Sequence, residues 1–388
     1  MIRKIFKRIL IFAVIGTILF FFLGGKITDR MKNKTASLED YPVSQEAISL
    51  HRNIRVADLH ADNLLWDRDI TQKYSHGHVD IERLIEGNFT LQVFDAVIKT
   101  PKNLNYLANT DKTDNITLLA MANRWPPKTW FSLLERARHQ SAILYGAARE
   151  SPSLSIITSQ SDLNYFLKLR SSNSYLVGGL LSIEGLHALE GELKNLDVLY
   201  DDGYRILGLV HFFDNAVGGS SAGVEKTGLT DFGTQVIRIM ERKNMIVDLA
   251  HASPDLIRDV LAIAKRPVIV SHTGIAGIHT SPRNLTDEQV IGIANTGGLI
   301  GIGFWEEALG DLHPSSIART ARYLTDLVGV DHVSLGSDFD GAVETSFDAS
   351  QIIYVTEALI QEGFTPDEIK QIMGGNIIDF MVKNLPPA

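Results

Sequence analysis

The sequence predicts an α/β fold, a (β/α)8 TIM-like barrel with a helical insertion after its second strand and a transmembrane helix before its first. Three observations carry that expectation: eight apolar runs of β character recur along the chain, roughly 20 to 40 residues separate most of them, and six end in an ionisable side chain. Gaps of that size hold one crossover helix each, and alternating strands and helices imply a parallel sheet with right-handed connections. A length of 388 residues would also suit two average domains, but a barrel of roughly 250 residues plus insertions fits it as well.

The first element is the N-terminal helix. Arg3, Lys4, Lys7 and Arg8 precede an apolar run from Ile9 to Gly25, broken only by Thr17. Roughly 17 residues is the lower limit for a spanning helix and is long for a cleaved signal peptide. The small-residue cleavage site of a signal peptide is poorly met, since Leu23 would occupy its −3 position. Residues 1–25 therefore read as an uncleaved single-pass anchor. The leading positive charges keep the N-terminus cytoplasmic and place the remainder in the periplasm or outside the cell. Residues 26–43, polar and without periodicity, read as a juxtamembrane linker, and residues 44–388 as the barrel domain.

The eight strands are expected at 54–60, 89–97, 175–183, 204–211, 245–251, 267–272, 298–304 and 332–338. Several helices announce their starts. Ser253 with Pro254, Thr286 with Gln289, and Thr365 with Pro366 and Glu368 combine N-caps, first-turn prolines and capping boxes. The stretch 100–173 is too long for a simple crossover. Helical patterns around 115–124 and 128–149 predict the insertion there, walling one side of the site.

Composition then narrows the chemistry. A net charge of −9, with no basic cluster beyond the first ten residues, leaves no footprint for nucleic acid. The absence of cysteine excludes disulfides, thiolate zinc sites, cysteine nucleophiles and a lipidated cysteine. Any metal must be held by nitrogen and oxygen.

The strand ends carry those atoms. His60 and Asp62 stand two residues apart, on one face of an extended segment, where both reach one metal. Glu184 follows a long apolar run, so it is either bound to a metal or paired with an arginine at the barrel mouth. His251 and His272 end neighbouring strands about 5 Å apart, close enough to share an ion. His211 reads as a ligand, an oxyanion stabiliser or a core histidine. Asp338 is the candidate for proton transfer, with Asp340 its competitor, and both also suit a turn that binds backbone amides. The other eight histidines lack this context and read as surface or supporting residues. Six ionisable strand ends on the face where barrel enzymes keep their active sites favour a site over coincidence.

In their order along the chain, several segments resemble the membrane (renal-type) dipeptidases, zinc metallopeptidases of the amidohydrolase-like barrel superfamily. They are Asp58-Leu-His60-Ala-Asp62, 78–87, Ile183-Glu184-Gly185, 228–233, Asp248-Leu-Ala-His251-Ala-Ser253, Pro267-Val-Ile-Val-Ser-His272, Ser281-Pro-Arg283-Asn284, Gly336-Ser-Asp338-Phe-Asp340-Gly341 and Gly374-Gly-Asn376. The resemblance spans residues 50–385. It implies two Zn2+ ions, one held by His60 and Asp62, the other by His251 and His272, and both bridged by Glu184. It further implies a metal-bridging hydroxide as nucleophile, His211 on the substrate carbonyl, Arg283 on the terminal carboxylate and Asp338 handling the proton. Dipeptides are the implied substrates, with tolerance of a C-terminal D-residue. A homodimer is compatible with the resemblance, and membrane attachment is expected through the N-terminal helix read above from its apolar run.

Three departures accompany the resemblance. Asn63-Leu-Leu-Trp66 differs from the usual continuation of the first motif, and Phe304-Trp305-Glu306-Glu307 replaces an asparagine-rich segment. The chain also ends in Asn384-Leu-Pro-Pro-Ala388 without the hydrophobic tail that precedes a C-terminal lipid anchor. Two other readings stay open: a metallohydrolase of another small amide or lactam on the same barrel, and an inactive membrane-tethered binding barrel.

Overall fold

Strands buried on both faces read as near-continuous apolar runs, and the eight expected runs form one parallel sheet in the computed structural model. Residues 2–36, 38 and 41–388 are described. Met1 of the expected anchor and Ser37, Glu39 and Asp40 of the expected linker lie outside them. The barrel strands are β1 (Val56–Ala61), β2 (Phe89–Val97), β3 (Val177–Glu184), β4 (Tyr204–Gly208), β5 (Ile246–Asp248), β6 (Ile269–Thr273), β7 (Leu299–Ile302) and β8 (Val333–Leu335). Each pairs in parallel with the next. The last returns towards the first where the Asp62 amide donates to Phe339 O at 2.8 Å, so the barrel is nearly closed.

An apolar cluster drawn from β1 to β7 includes Ala57, Leu91, Ile206, Ile246, Ile269 and Leu299 near the strand starts. It packs against Ile377 and Met381 of the helix Asn376–Asn384. This plug occupies the N-terminal end of the barrel and leaves the C-terminal edge to polar residues. The anticipated helix starts are built as expected. Ser253 caps Pro254–Ile263, and capping boxes open Asp287–Asn295 at Thr286 and Pro366–Lys370 at Thr365.

Several details differ from the expectation. β4, β5 and β8 end three residues early and β7 two, because the chain turns out of the sheet before it reaches the functional side chains. Asp62 is not extended: with φ −98° and ψ 22° it caps the short 3-10 turn Asn63–Leu65. Between β2 and β3, helices Ile116–Ala122 and Leu133–Glu150 occupy the expected helical stretches. The same segment also holds the strand Leu154–Ile156, which pairs in parallel with β3.

The N-terminal region departs furthest. Helix Ile2–Leu19 passes through a π-helical turn, Phe20–Gly24, into helix Gly25–Lys32, so the expected linker begins as helix. Lys34–Thr35 then pairs in parallel with Glu344–Thr345. The buried side chains of this segment are Gly25, Asp29 and Asn33 at helical spacing. That stripe is small and polar, which is why no apolar periodicity marks it. Asp29 pairs with Arg68 at 3.0 Å, and Arg68 in turn pairs with Asp340 at 2.8 Å. Asp340 also accepts the amides of His78 at 2.8 Å and Val79 at 3.0 Å.

Removing one member of a buried, hydrogen-bonded ion pair strands its partner in a low-dielectric setting. Asp340→Ala is therefore expected to destabilise the protein by about 3–5 kcal/mol. Urea unfolding checks it, and an unmoved midpoint would show that this triad does not hold the barrel mouth together.

Candidate metal centre

Ionisable side chains meet at the C-terminal edge because parallel strands deliver their ends to one side. His60 projects from β1 beside a register irregularity in its pairing with β2, and His272 from β6 beside another in its pairing with β7. Bulges of this kind re-aim side chains. His251 and Asp338 sit in turns with φ of 63° and 61°, conformations that non-glycine residues adopt at a cost and that cluster at functional sites.

Glu184, at the end of β3, is the hub. Its Oε2 lies 2.9 Å from His211 Nε2, and its Oε1 lies 3.0 Å from His251 Nε2, 3.4 Å from His272 Nε2 and 3.7 Å from His60 Nε2. His60 Nε2 is also 3.3 Å from Asp62 Oδ1 and 3.8 Å from Asp338 Oδ1. His251 and His272 approach nitrogen to nitrogen at 3.1 Å. Three overlapping sets bring their donor atoms within 4.8 Å of one another: His60, His272 and Asp338; Glu184, His211 and His251; and His60, Asp62, Asp95 and Glu184. All of these residues are buried or nearly so.

The electrostatics are those of donors gathered around positive charge. Burial pushes Asp338 and Asp95 well above the usual carboxylate range, His60 opposing in both cases. Burial also pushes Glu184 up, but His211 and His251 outweigh it and hold its carboxyl well below the usual range. His60 is lowered by burial and raised more by Asp62, Asp95 and Glu184, so it ends well above its ordinary value. Burial, followed by Arg283, holds His251 well down; for His272 burial is followed by His60. Both ring nitrogens of His60 and Asp62 Oδ1 are buried without a hydrogen-bond partner. Carboxylates and imidazoles packed with such orphaned donors fit divalent ions bound by nitrogen and oxygen.

A second layer fixes the first. Asp58 accepts from the Ser337 amide at 2.7 Å, from Ser337 Oγ at 2.8 Å and from Gln92 Nε2 at 2.8 Å, while Ser337 Oγ also donates to His60 O at 3.0 Å. Asp248 accepts the amides of Ala250 at 2.9 Å and Ser271 at 2.8 Å, and Ser271 Oγ meets His272 Nδ1 at 2.9 Å. Arg283 donates from Nη2 to His272 O at 2.8 Å, and its Nε is buried with no protein partner. Above these residues lies a cavity of about 580 Å³, lined in part by Asp62, Glu184, His211, His272, Arg283 and Asp338. Tyr106, Phe212 and Trp305 line it too, and burial raises the Tyr106 hydroxyl to about 12.

The family model described as membrane dipeptidase, peptidase family M19, matches residues 44–383. The chain belongs to the membrane dipeptidase family. It is thereby a metallopeptidase of the membrane dipeptidase type. It is 32% identical over 212 residues to dipeptidase verJ of Clonostachys rogersoniana, covering 53% of this chain and 55% of that protein. It is 26% identical to an uncharacterized dipeptidase of Schizosaccharomyces pombe, covering 82% of this chain and 75% of that one. A metallo peptidase from Rhodobacter sphaeroides, solved with a phosphinate mimic of the dipeptide L-Ala-D-Ala, shares the fold. Its TM-score is 0.70 at 22% identity, covering 86% of this chain and 99% of that one.

For this family member, the fold brings Asp62, Glu184, His211, His251, His272, Arg283 and Asp338 to one cavity edge, with His60 buried behind them against Asp62 and Glu184. Asp340 is turned away and bound to Arg68, so it does not share the position of Asp338. Among the remaining histidines, His51 and His78 are buried, and His187 is half-buried with both ring nitrogens enclosed. Sequence reasoning missed Asp95, which sits in β2, accepts from Ser182 Oγ, and has its Oδ1 4.0 Å from His60 Nδ1. Its signal was available: an aspartate inside a nine-residue apolar strand is expensive unless it has charged partners.

A carboxylate behind a ligating imidazole orients the ring, and losing such a partner costs about 10–100-fold in metal affinity. Asp95→Asn should lower metal affinity by about that factor. Competition with a chelator measures it, and unchanged affinity would remove Asp95 from the centre.

Proposed function

We propose that the protein is a binuclear zinc dipeptidase that hydrolyses the single amide bond of dipeptides and accepts a D-residue at the C-terminal position. One observation carries the reading: the imidazoles of both sets converge on one oxygen of Glu184, His60 Nε2 at 3.7 Å with Asp62 beside it, and His251 and His272 Nε2 at 3.0 and 3.4 Å. A carboxylate at the meeting point of the two sets suits a bridge between two ions. His60 and Asp62 would hold one, and His251 and His272 the other. Imidazole and carboxylate donors also admit manganese or iron. When bound, the ions supply Lewis acidity at the scissile carbonyl and a water of lowered pKa.

The chain's own residues do the rest. Arg283, fixed to His272 O and otherwise open to the cavity, offers a fork to the terminal carboxylate and so favours short peptides with a free C-terminus. His211 lines the cavity beside Glu184, where it can donate to the carbonyl oxygen as charge develops. Asp338 faces the same space 3.8 Å from His60 Nε2, in position to carry a proton to the departing amine. The phosphinate in the Rhodobacter sphaeroides relative mimics L-Ala-D-Ala, which supports tolerance of a D-residue here. The helix from Arg3 to Lys32 is long and apolar enough to cross a membrane. With positive charges ahead of it, we read it as an anchor that leaves the catalytic domain outside the cytoplasm.

The deciding experiment assays the zinc-loaded full-length protein against L,L and L,D dipeptides; silence across the panel would sink the dipeptidase reading. Asp338→Asn should retain metal and lose roughly two orders of magnitude or more in turnover, as when a positioned proton carrier is removed. Near-normal kcat would exclude Asp338 from proton transfer. Arg283→Ala should mainly raise KM for dipeptides, and an unchanged KM would dispose of the carboxylate clamp.

A further inference from the structure

The N-terminal helix presents two adjacent stripes to the barrel. Gly25, Asp29 and Asn33 are buried against it, whereas Phe20, Gly24, Thr28 and Lys32, each four residues apart, line the same cavity as Glu184, His272 and Arg283. Side chains four apart on a helix share one face, so the cavity is bounded along about three turns of this helix.

The docking is specific. Asp29 forms an ion pair with Arg68 Nε at 3.0 Å and accepts from Asn33 Nδ2 at 2.8 Å, while Asn33 Oδ1 accepts the Ala342 amide at 2.9 Å. The Arg124 side chain donates to Phe21 O. A Cβ on Gly25 would meet Asn123 Oδ1 at 1.7 Å, so a larger residue at that point would require the Asn123 side chain to move. Through Arg68 the contact reaches Asp340, two residues beyond Asp338.

We propose that this helix is a wall of the substrate cavity, held in place by Asp29, and that Lys32 sets a charge preference there. The second part rests on the reading of the cavity as the dipeptide site. Lys32 is exposed at the rim, and Arg283 is the other basic lysine or arginine side chain among the lining residues. With Arg283 occupied by the terminal carboxylate, Lys32 is the cation left to meet a substrate side chain. It favours dipeptides with an acidic side chain over those with a basic one.

The absence of cysteine makes the wall directly testable. A Cβ built on Gly24 lies 3.4 Å from Ala122 Cβ, close to the separation across a disulfide. In the full-length protein in detergent, Gly24→Cys with Ala122→Cys should lose both thiols on mild oxidation. Two persistent free thiols, or an intact mass lacking the N-terminal helix, would overturn the wall. Adding Asp29→Ala to the pair should slow the cross-link severalfold, and an unchanged rate would remove Asp29 as its holder. Lys32→Glu should lower the ratio of kcat/KM for Ala-Glu and Glu-Ala to that for Ala-Lys and Lys-Ala by about tenfold, and an unchanged ratio would overturn the charge preference. If the unmodified protein turns over no dipeptide, the substrate reading and the charge preference fall together. The disulfide then still decides whether the helix walls the cavity.

Discussion

The arrangement depends on one carboxylate. Glu184 has an imidazole against each oxygen, and every other donor in the centre is placed relative to it. Four carboxylates and four imidazoles buried together repel or strand one another unless positive charge and hydrogen bonds satisfy them. The barrel meets that demand in layers. Parallel strands bring the side chains to one edge, and Asp58, Asp248, Ser271 and Ser337 then fix them through the backbone. The apolar plug beneath, around Ile206, Ile246 and Ile377, excludes water from below.

Much of this was legible in the chain because strand ends and metal donors obey simple rules. A run such as Val-Ile-Val-Ser-His272 announces both a buried strand and the residue that emerges from it. The functional segments beyond β4 and β5 were read as strand, although the chain has already turned there. The apolar run persists through Leu209 and Val210, which are buried without belonging to the strand. Hydropathy reports burial, and it does not distinguish a ladder from a packed turn.

What stayed hidden involves polar burial between distant segments. Gln92 meets Asp58, and Asp95 meets Ser182, across neighbouring strands, and His78 receives the Asp340 amide from a residue far along the chain. The N-terminal helix docks through Gly25, Asp29 and Asn33, a stripe that looks solvent-facing when read alone. Such contacts leave no periodic trace, because each polar residue is explained only by its partner. The departure at Trp66 is of the same kind: its indole donates to Asp340 O at 2.8 Å, tying the first motif to the last strand's turn.

The unbroken passage from apolar helix to cavity wall has a mechanical consequence. A loose linker over residues 26–43 would let a domain wander roughly 20 Å from its anchor and face any direction. Here Gly25–Lys32 is helix docked on the barrel through Asp29 and Asn33, so in a protein anchored as proposed the barrel would take its orientation from that helix. A helix in a bilayer tilts to match hydrocarbon thickness. Anchored so, the opening would swing with that tilt in a thinner or thicker bilayer, and lipid composition would bear on which way it faces.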